Sequence, residues 1–219
     1  MAEAALPALP GAARRFRSGI LDDNPIYRQL LGMCPTLAVT ATLAGAVTMA
    51  AATAFVLIMA NVVVALLRHR LKGHLRILVF TMTIATFVTI VDRVLAAYLY
   101  EMSLLLGKYV PLIIVNCIII CRCEVCAAKQ PVHVALADAV GQALGFLFGL
   151  TSIAAVREVL ATGHLFVTAG SPGLRVLPAS WPGWAVMQGP AGAFITLGVL
   201  MGAVNLMSLR KRKTATGRG

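Results

Sequence analysis

Charge is what this chain has least of. Only 12% of its 219 residues are Asp, Glu, Lys or Arg, and just eight are acidic, whereas soluble domains carry about 25% charged residues. With 59% of the residues hydrophobic and a mean hydropathy of +0.87, this scarcity excludes a water-soluble globular domain and makes lipid the solvent for most of the chain. Aromatic residues are also few, at 6%, and no basic-aromatic patch of the kind that grips single-stranded nucleic acid is present. The net charge of +11 therefore does not point to nucleic acid. Its basic residues fall in short clusters between apolar runs, as membrane orientation requires. A phosphate-binding glycine loop, a dinucleotide fingerprint and a GxSxG elbow are all missing, which excludes nucleotide binding and soluble hydrolysis by this chain alone. The first 20 residues place Arg14, Arg15 and Arg17 after the small residues, the reverse of a cleaved secretory signal.

What is present is a series of apolar runs. Residues 1–28 read as a flexible basic cytoplasmic arm with Pro7, Pro10 and Gly11. Residues 29–67 carry no charge and as one helix would run about 58 Å, so two crossings are expected with a tight turn near 45–51. A basic loop at 68–76 leads to a third span over 77–100, which holds Asp92 and Arg93. Residues 109–121 form a fourth, short run, 131–156 a fifth and 191–209 a sixth, followed by the basic cytoplasmic tail 210–219. Gly141, Gly145 and Gly149, and again Gly198 and Gly202, are spaced by four, as in faces that let helices approach closely in lipid. A loop at 157–188 has Trp181 and Trp184 suited to the membrane interface. Counted by loop, fifteen Lys and Arg fall on one side and three on the other, which predicts six spans with both termini cytoplasmic.

Two of these runs are interrupted. The run at 109–121 is uncharged over only 13 residues, against about 20 for a membrane-crossing helix, and it carries Pro111 in its first turn with Asn116 and Cys117 near its middle. In LLGMCPTLAVT (30–40), Gly32 and Pro35 bracket Cys34, and proline removes a backbone donor. Broken helices in corresponding places of two halves are the sequence pointer to inverted repeats around a functional site. The fold class that follows is an all-α integral membrane protein, a six-span domain over 29–209 with inverted three-helix repeats at about 29–100 and 105–209, whose first and fourth helices are discontinuous.

Cys34 and Cys117, each at a break, are candidate iron ligands, although a buried cysteine often serves packing alone. Two thiolates fall short of the four that an iron–sulfur cluster takes, so a partner would bring the others. A competing arrangement is a local cage of Cys117, Cys121, Cys123 and Cys126, which needs irregular backbone because Cys123 leaves the helical face of Cys117. Asp92 lies inside a span and is a candidate for an ion path, or else a structural pair with another helix. Asn116, or backbone amides freed at the breaks, could donate hydrogen bonds to cluster sulfur. His69, His74, His133 and His164 show no metal spacing.

The motifs NPIYRQLLGMCPTLAVT (24–40), PLIIVNCIIICRCE (111–124), REVLATGHLF (157–166) and GAFITLG (192–198) resemble the family that holds the E subunit of the bacterial Rnf electron-transport complex and the D subunit of the sodium-translocating NADH:quinone reductase. The resemblance covers about 22–209. It implies a subunit of an ion-translocating ferredoxin:NAD oxidoreductase in the bacterial inner membrane, beside a homologous A subunit of opposite topology and the B, C, D and G subunits. It further implies that Cys34 and Cys117 ligate a [2Fe-2S] cluster with two cysteines of that A subunit, while flavin and NAD sit on other subunits. After the second cysteine the family pattern reads Arg-Ala-Glu-Ala-Phe-Ala. Here Cys121, Cys123 and Cys126 are departures from the family. The alternative readings are an ion-transporting or scaffold subunit without its own redox centre, or the D subunit of a sodium-translocating NADH:quinone reductase.

Overall fold

The computed structural model describes residues 24–68, 75–165, 174–175 and 184–216, with side chains beyond Leu206 left aside. Residues 1–23 of the arm, most of the 68–76 basic loop, the greater part of the 157–188 loop including Trp181, and the end of the tail lie outside the described residues. The rest is almost wholly helical. In chain order the helices are α1 (Met33–Val39), α2 (Leu43–Leu67), α3 (Arg76–Tyr98), α4 (Tyr100–Leu106), α5 (Cys117–Arg122), α6 (Val132–Thr162) and α7 (Pro190–Thr216). Tight turns at Val110–Ile113 and Ala185–Gln188, a wide turn at Cys123–Ala127 and a two-residue ribbon pairing β1 (His164–Leu165) with β2 (Leu174–Arg175) complete them. Among the described residues, four segments are long and apolar enough to cross a membrane: Leu43–Leu67, Arg76–Tyr98, Val110–Ala127 and Val132–Thr162. Pro190–Leu206 is a shorter apolar helix.

The expected turn at 45–51 is absent, and the chain turns instead at 40–42. Thr42 is extended and its hydroxyl accepts from the Gly45 amide at 3.3 Å, a side-chain cap that starts α2. Gly45 is thus part of a helix start, and α2 runs through the expected turn as one 25-residue helix. The fifth run also extends further than the sequence suggests. Residues 157–162, assigned to a loop, belong to α6, which stops at Gly163 in the left-handed region (φ 72°), a position where only glycine avoids strain.

α2 and α6 pack along their length as an antiparallel pair: the first amide of α2, Leu43 N, donates to Glu158 Oε2 near the end of α6. Ala46, Met49, Ala50 and Ala60 of α2 and Ala139, Phe146, Leu150 and Ile153 of α6 belong to one buried core, and the many small side chains let the two axes come close. The Gly145/Gly149 face of α6 packs against the segment at 24–31. Asn24 Nδ2 donates to the Gly145 carbonyl at 3.1 Å, and a Cβ on Gly149 would stand 2.6 Å from Ile26 Cδ1. Ile26 is fully buried, so residues 24–28 belong to the packed domain and not to a flexible arm. By contrast, Gly198 and Gly202 of α7 face open space.

Candidate functional site

Two short helices bring the predicted cysteines to one place. Gly32, in the left-handed region at φ 77°, sits directly before α1, and a Cβ there would stand 2.6 Å from Phe146 Cε2. Both constraints require glycine. Freed from any helix, its amide donates to Cys117 Sγ at 2.9 Å, across 85 residues of sequence. Cys34 follows two residues later in the first turn of α1, where Pro35 is tolerated because the first helical amides have no partner. Regular structure is interrupted at 114–116, and Cys117 opens α5. Asn116 is extended there (φ −65°, ψ 117°), and its Oδ1 accepts from Ile118 N at 3.3 Å. Cys34 and Cys117 are both exposed, each at the start of a helix and uncovered by the rest of the chain.

A second bond holds the same two segments. At the end of α5, Arg122 Nη2 donates to Gln29 Oε1 at 2.7 Å, and Nη1 lies 3.6 Å from the buried Asp138 carboxylate of α6. Gln29 leads into Gly32, so Arg122 ties the approach to α1 to the helix that Cys117 begins. On the far side of α1, Arg157 is 1% exposed. Its guanidinium donates to Thr40 Oγ1 and to the carbonyls of Met187, Gln188 and Gly189. Arg157, expected among the loop cations, is therefore a buried brace between the end of α1 and the start of α7, and Arg122 is likewise buried instead of lying in a loop.

The other cysteines separate from the pair. Cys123 and Cys126 are fully buried in the apolar core, Cys121 is half-buried, and among the described residues no group of three or more His, Cys, Asp or Glu is placed to hold a metal. The local cage of Cys117, Cys121, Cys123 and Cys126 is not assembled. Asp92 is half-buried on α3. No hydrogen bond or ion pair reaches it among the described residues. Chemically, the arrangement offers two exposed sulfur donors, one already accepting a backbone amide. Sequence reasoning singled out both cysteines and Gly32. It missed the Arg122 and Arg157 braces, for which the only signal was an arginine beside an apolar run.

Comparison with known proteins identifies the family of the chain. The family model described as Rnf-Nqr subunit, membrane protein, matches residues 12–201. The E subunit of the Na(+)-translocating ferredoxin:NAD(+) oxidoreductase complex of Acetobacterium woodii is 41% identical over 192 residues, covering 88% of this chain and 95% of the relative. The E subunit of the ion-translocating oxidoreductase complex of Methanosarcina acetivorans is 41% identical over 202 residues, 92% of this chain and 93% of the relative. That of Rhodobacter capsulatus is 35% identical over 207 residues, 91% and 85% respectively. A model match across most of the chain and identities of this size over nearly the whole of each relative leave one conclusion: this chain belongs to the Rnf-Nqr family of membrane subunits.

Proposed function

We propose that this chain is an electron-carrying membrane subunit of an ion-translocating ferredoxin:NAD oxidoreductase complex, in which Cys34 and Cys117 supply half the ligands of a [2Fe-2S] cluster. The homologous A subunit, of opposite topology, supplies the other two. The observation that carries the reading is the Gly32 amide on Cys117 Sγ at 2.9 Å, which joins the two cysteine segments and gives a sulfur the hydrogen bond that iron–sulfur ligands use to set their potential. Two exposed thiols, in no group of three or more His, Cys, Asp or Glu placed to hold a metal among the described residues, fit a cluster completed from outside. Such a cluster accepts and releases one electron, and placed inside the membrane it divides a layer about 30 Å thick into shorter steps. The chain's own part is to hold two sulfurs rigidly, through Gly32, Arg122 and Arg157, and to keep water away with the apolar core behind them.

The same reading includes six spans in two inverted repeats, 29–100 and 105–209, with both termini cytoplasmic in a bacterial inner membrane. The order short helix, long helix, helix recurs in α1–α2–α3 and α5–α6–α7, and the antiparallel packing of α2 on α6 supports inversion. The B, C, D and G subunits would carry the flavin and NAD sites. The experiment is iron content and EPR of purified complexes. Cys34→Ser or Cys117→Ser should each remove the cluster signal and roughly two irons while the subunits still assemble. Cys121→Ala, Cys123→Ala and Cys126→Ala together should retain both. Unchanged iron in the first two variants would leave ion transport, with Asp92 on its path, or scaffolding as the function.

A further inference from the structure

The two irregular segments that lead into α1 and α5 leave main-chain groups without partners deep in the molecule. Asn24 reaches the Gly145 carbonyl, Ile26 lies on Gly149 and Gly32 on the Phe146 ring, so residues 24–32 run level with 145–149 of α6. Those residues are the middle of the charge-free stretch 139–156. They lie roughly 10 Å from either end of it, at the centre of a hydrocarbon layer about 30 Å thick. The Gly32 amide on Cys117 Sγ brings the second irregular segment, 114–116, to the same level.

Each segment carries one exposed apolar residue two positions before that bond: Leu30, 47% exposed, and Val115, 62% exposed. Among the described residues no hydrogen bond reaches the amide or the carbonyl of either. Exposure alone would mean little, since Phe148 of α6 is also exposed at this depth, but the main-chain groups of Phe148 are bonded within its helix. Among the described residues Leu30 is also the single non-glycine in the left-handed region, at φ 57°, where glycine would sit without cost. Such a conformation persists where surrounding contacts hold it, and nearly half of this residue is uncovered by its own chain.

Acyl chains offer no hydrogen bonds, so irregular main chain at this depth is stable only against protein or water. Headgroups cannot substitute, because a main-chain group, unlike a long cationic side chain, cannot reach toward the boundary. Water fits poorly: hydrated paths in membranes are marked by polar and ionisable side chains, whereas Leu30 and Val115 are apolar. A cluster held by Cys34, Cys117 and two outside cysteines, by contrast, brings a second backbone onto this spot.

We propose that the segments at Leu30 and Val115 form one docking patch for another membrane subunit, which hydrogen-bonds their free main-chain groups and buries both side chains. Resting on the cluster reading above, this is the subunit that supplies the other two cysteines. A regular helix has no free main-chain group in its interior, so the partner meets the patch with a broken stretch of its own or with Ser, Thr, Asn or Gln side chains.

The test uses the intact purified complex. A photo-reactive phenylalanine analogue placed at Leu30, and separately at Val115, should give its main adduct with one and the same subunit, on a peptide next to a cysteine. Hydrogen–deuterium exchange should find the Leu30 and Val115 amides roughly ten-fold slower than hydrated amides, or slower still, although neither has an acceptor in its own chain. Adducts confined to lipid, or to two different subunits, overturn the proposal. Exchange at the rate of a hydrated amide overturns it too, since water would then fill the space. Leu30→Asp should deplete the cross-linked subunit several-fold, and wild-type stoichiometry counts against the patch; if that chain does not fold, adducts and exchange decide. Iron is read separately. Lipid adducts with iron lost in Cys34→Ser remove this contact alone, whereas iron retained in Cys34→Ser removes the cluster reading whatever the adducts show.

Discussion

α1 and α5 each carry an exposed cysteine near their start, yet they are held in place by different chemistry. α1 is entered through a left-handed glycine without a side-chain cap, and its far end is gripped from outside by Arg157 and, just beyond, by Glu158 on the first amide of α2. α5 is entered through Asn116, which caps it from its own sequence, and its far end carries its own anchor, Arg122, before the wide turn where Glu124 pairs with Arg76. α1 thus has no cap or anchor from its own sequence, whereas α5 has a local cap beside its long-range bonds to Gly32, Gln29 and Asp138. Substitutions that unsettle α1 should therefore cost more than those that unsettle α5.

The largest effect is expected at Arg157. Arg157→Met leaves three carbonyls and the Thr40 hydroxyl without their donor in a buried place, a loss of roughly 3–5 kcal/mol, read as a lower melting temperature of the purified complex. Arg157→Lys, a single donor centre in place of a fork, should recover only part of it. Gly32→Ala comes next. The left-handed backbone costs about 1–2 kcal/mol for a residue with a Cβ, and displacing the Phe146 ring adds about 1–3 kcal/mol, so the melting temperature should again fall clearly.

On the α5 side, Asn116→Ala removes a helix cap worth about 1 kcal/mol. Part of that returns, because Asn116 Nδ2 is buried without a hydrogen-bond partner and its removal ends a desolvation cost. Glu124→Gln should be the mildest change. Its ion pair with Arg76 has side chains 26% and 44% exposed, so the loss is at most about 1 kcal/mol and should shrink as salt is added. If Asn116→Ala or Glu124→Gln proves as damaging as Arg157→Met in the same melting assay, the asymmetry between the two helices is wrong.

Residue patterns mark where α1 and α5 begin but not how the chain enters them. Pro35 beside Gly32, and Asn116 before Cys117, are local signals, since proline removes a donor and asparagine caps a helix within two or three residues. The turn at 40–42 was hidden because Thr40 and Thr42 read as helix-compatible in an uncharged run, while Gly45 attracted the turn that Thr42 makes. The docking of Ile26 on Gly149 was equally hidden, because a glycine spacing of four states that something packs closely without stating what.

Hydropathy alone determined that this protein lives in lipid, because a chain with so few charges cannot cover a soluble surface, and two cysteines at interrupted runs marked the candidate site. Only the tertiary structure decided which groups serve it. The amide on Cys117 comes from Gly32, and the brace on the end of α1 comes from Arg157. Both bonds join segments far apart in sequence, so their partners are set by how α2 and α6 pack and by no local preference of the residues themselves.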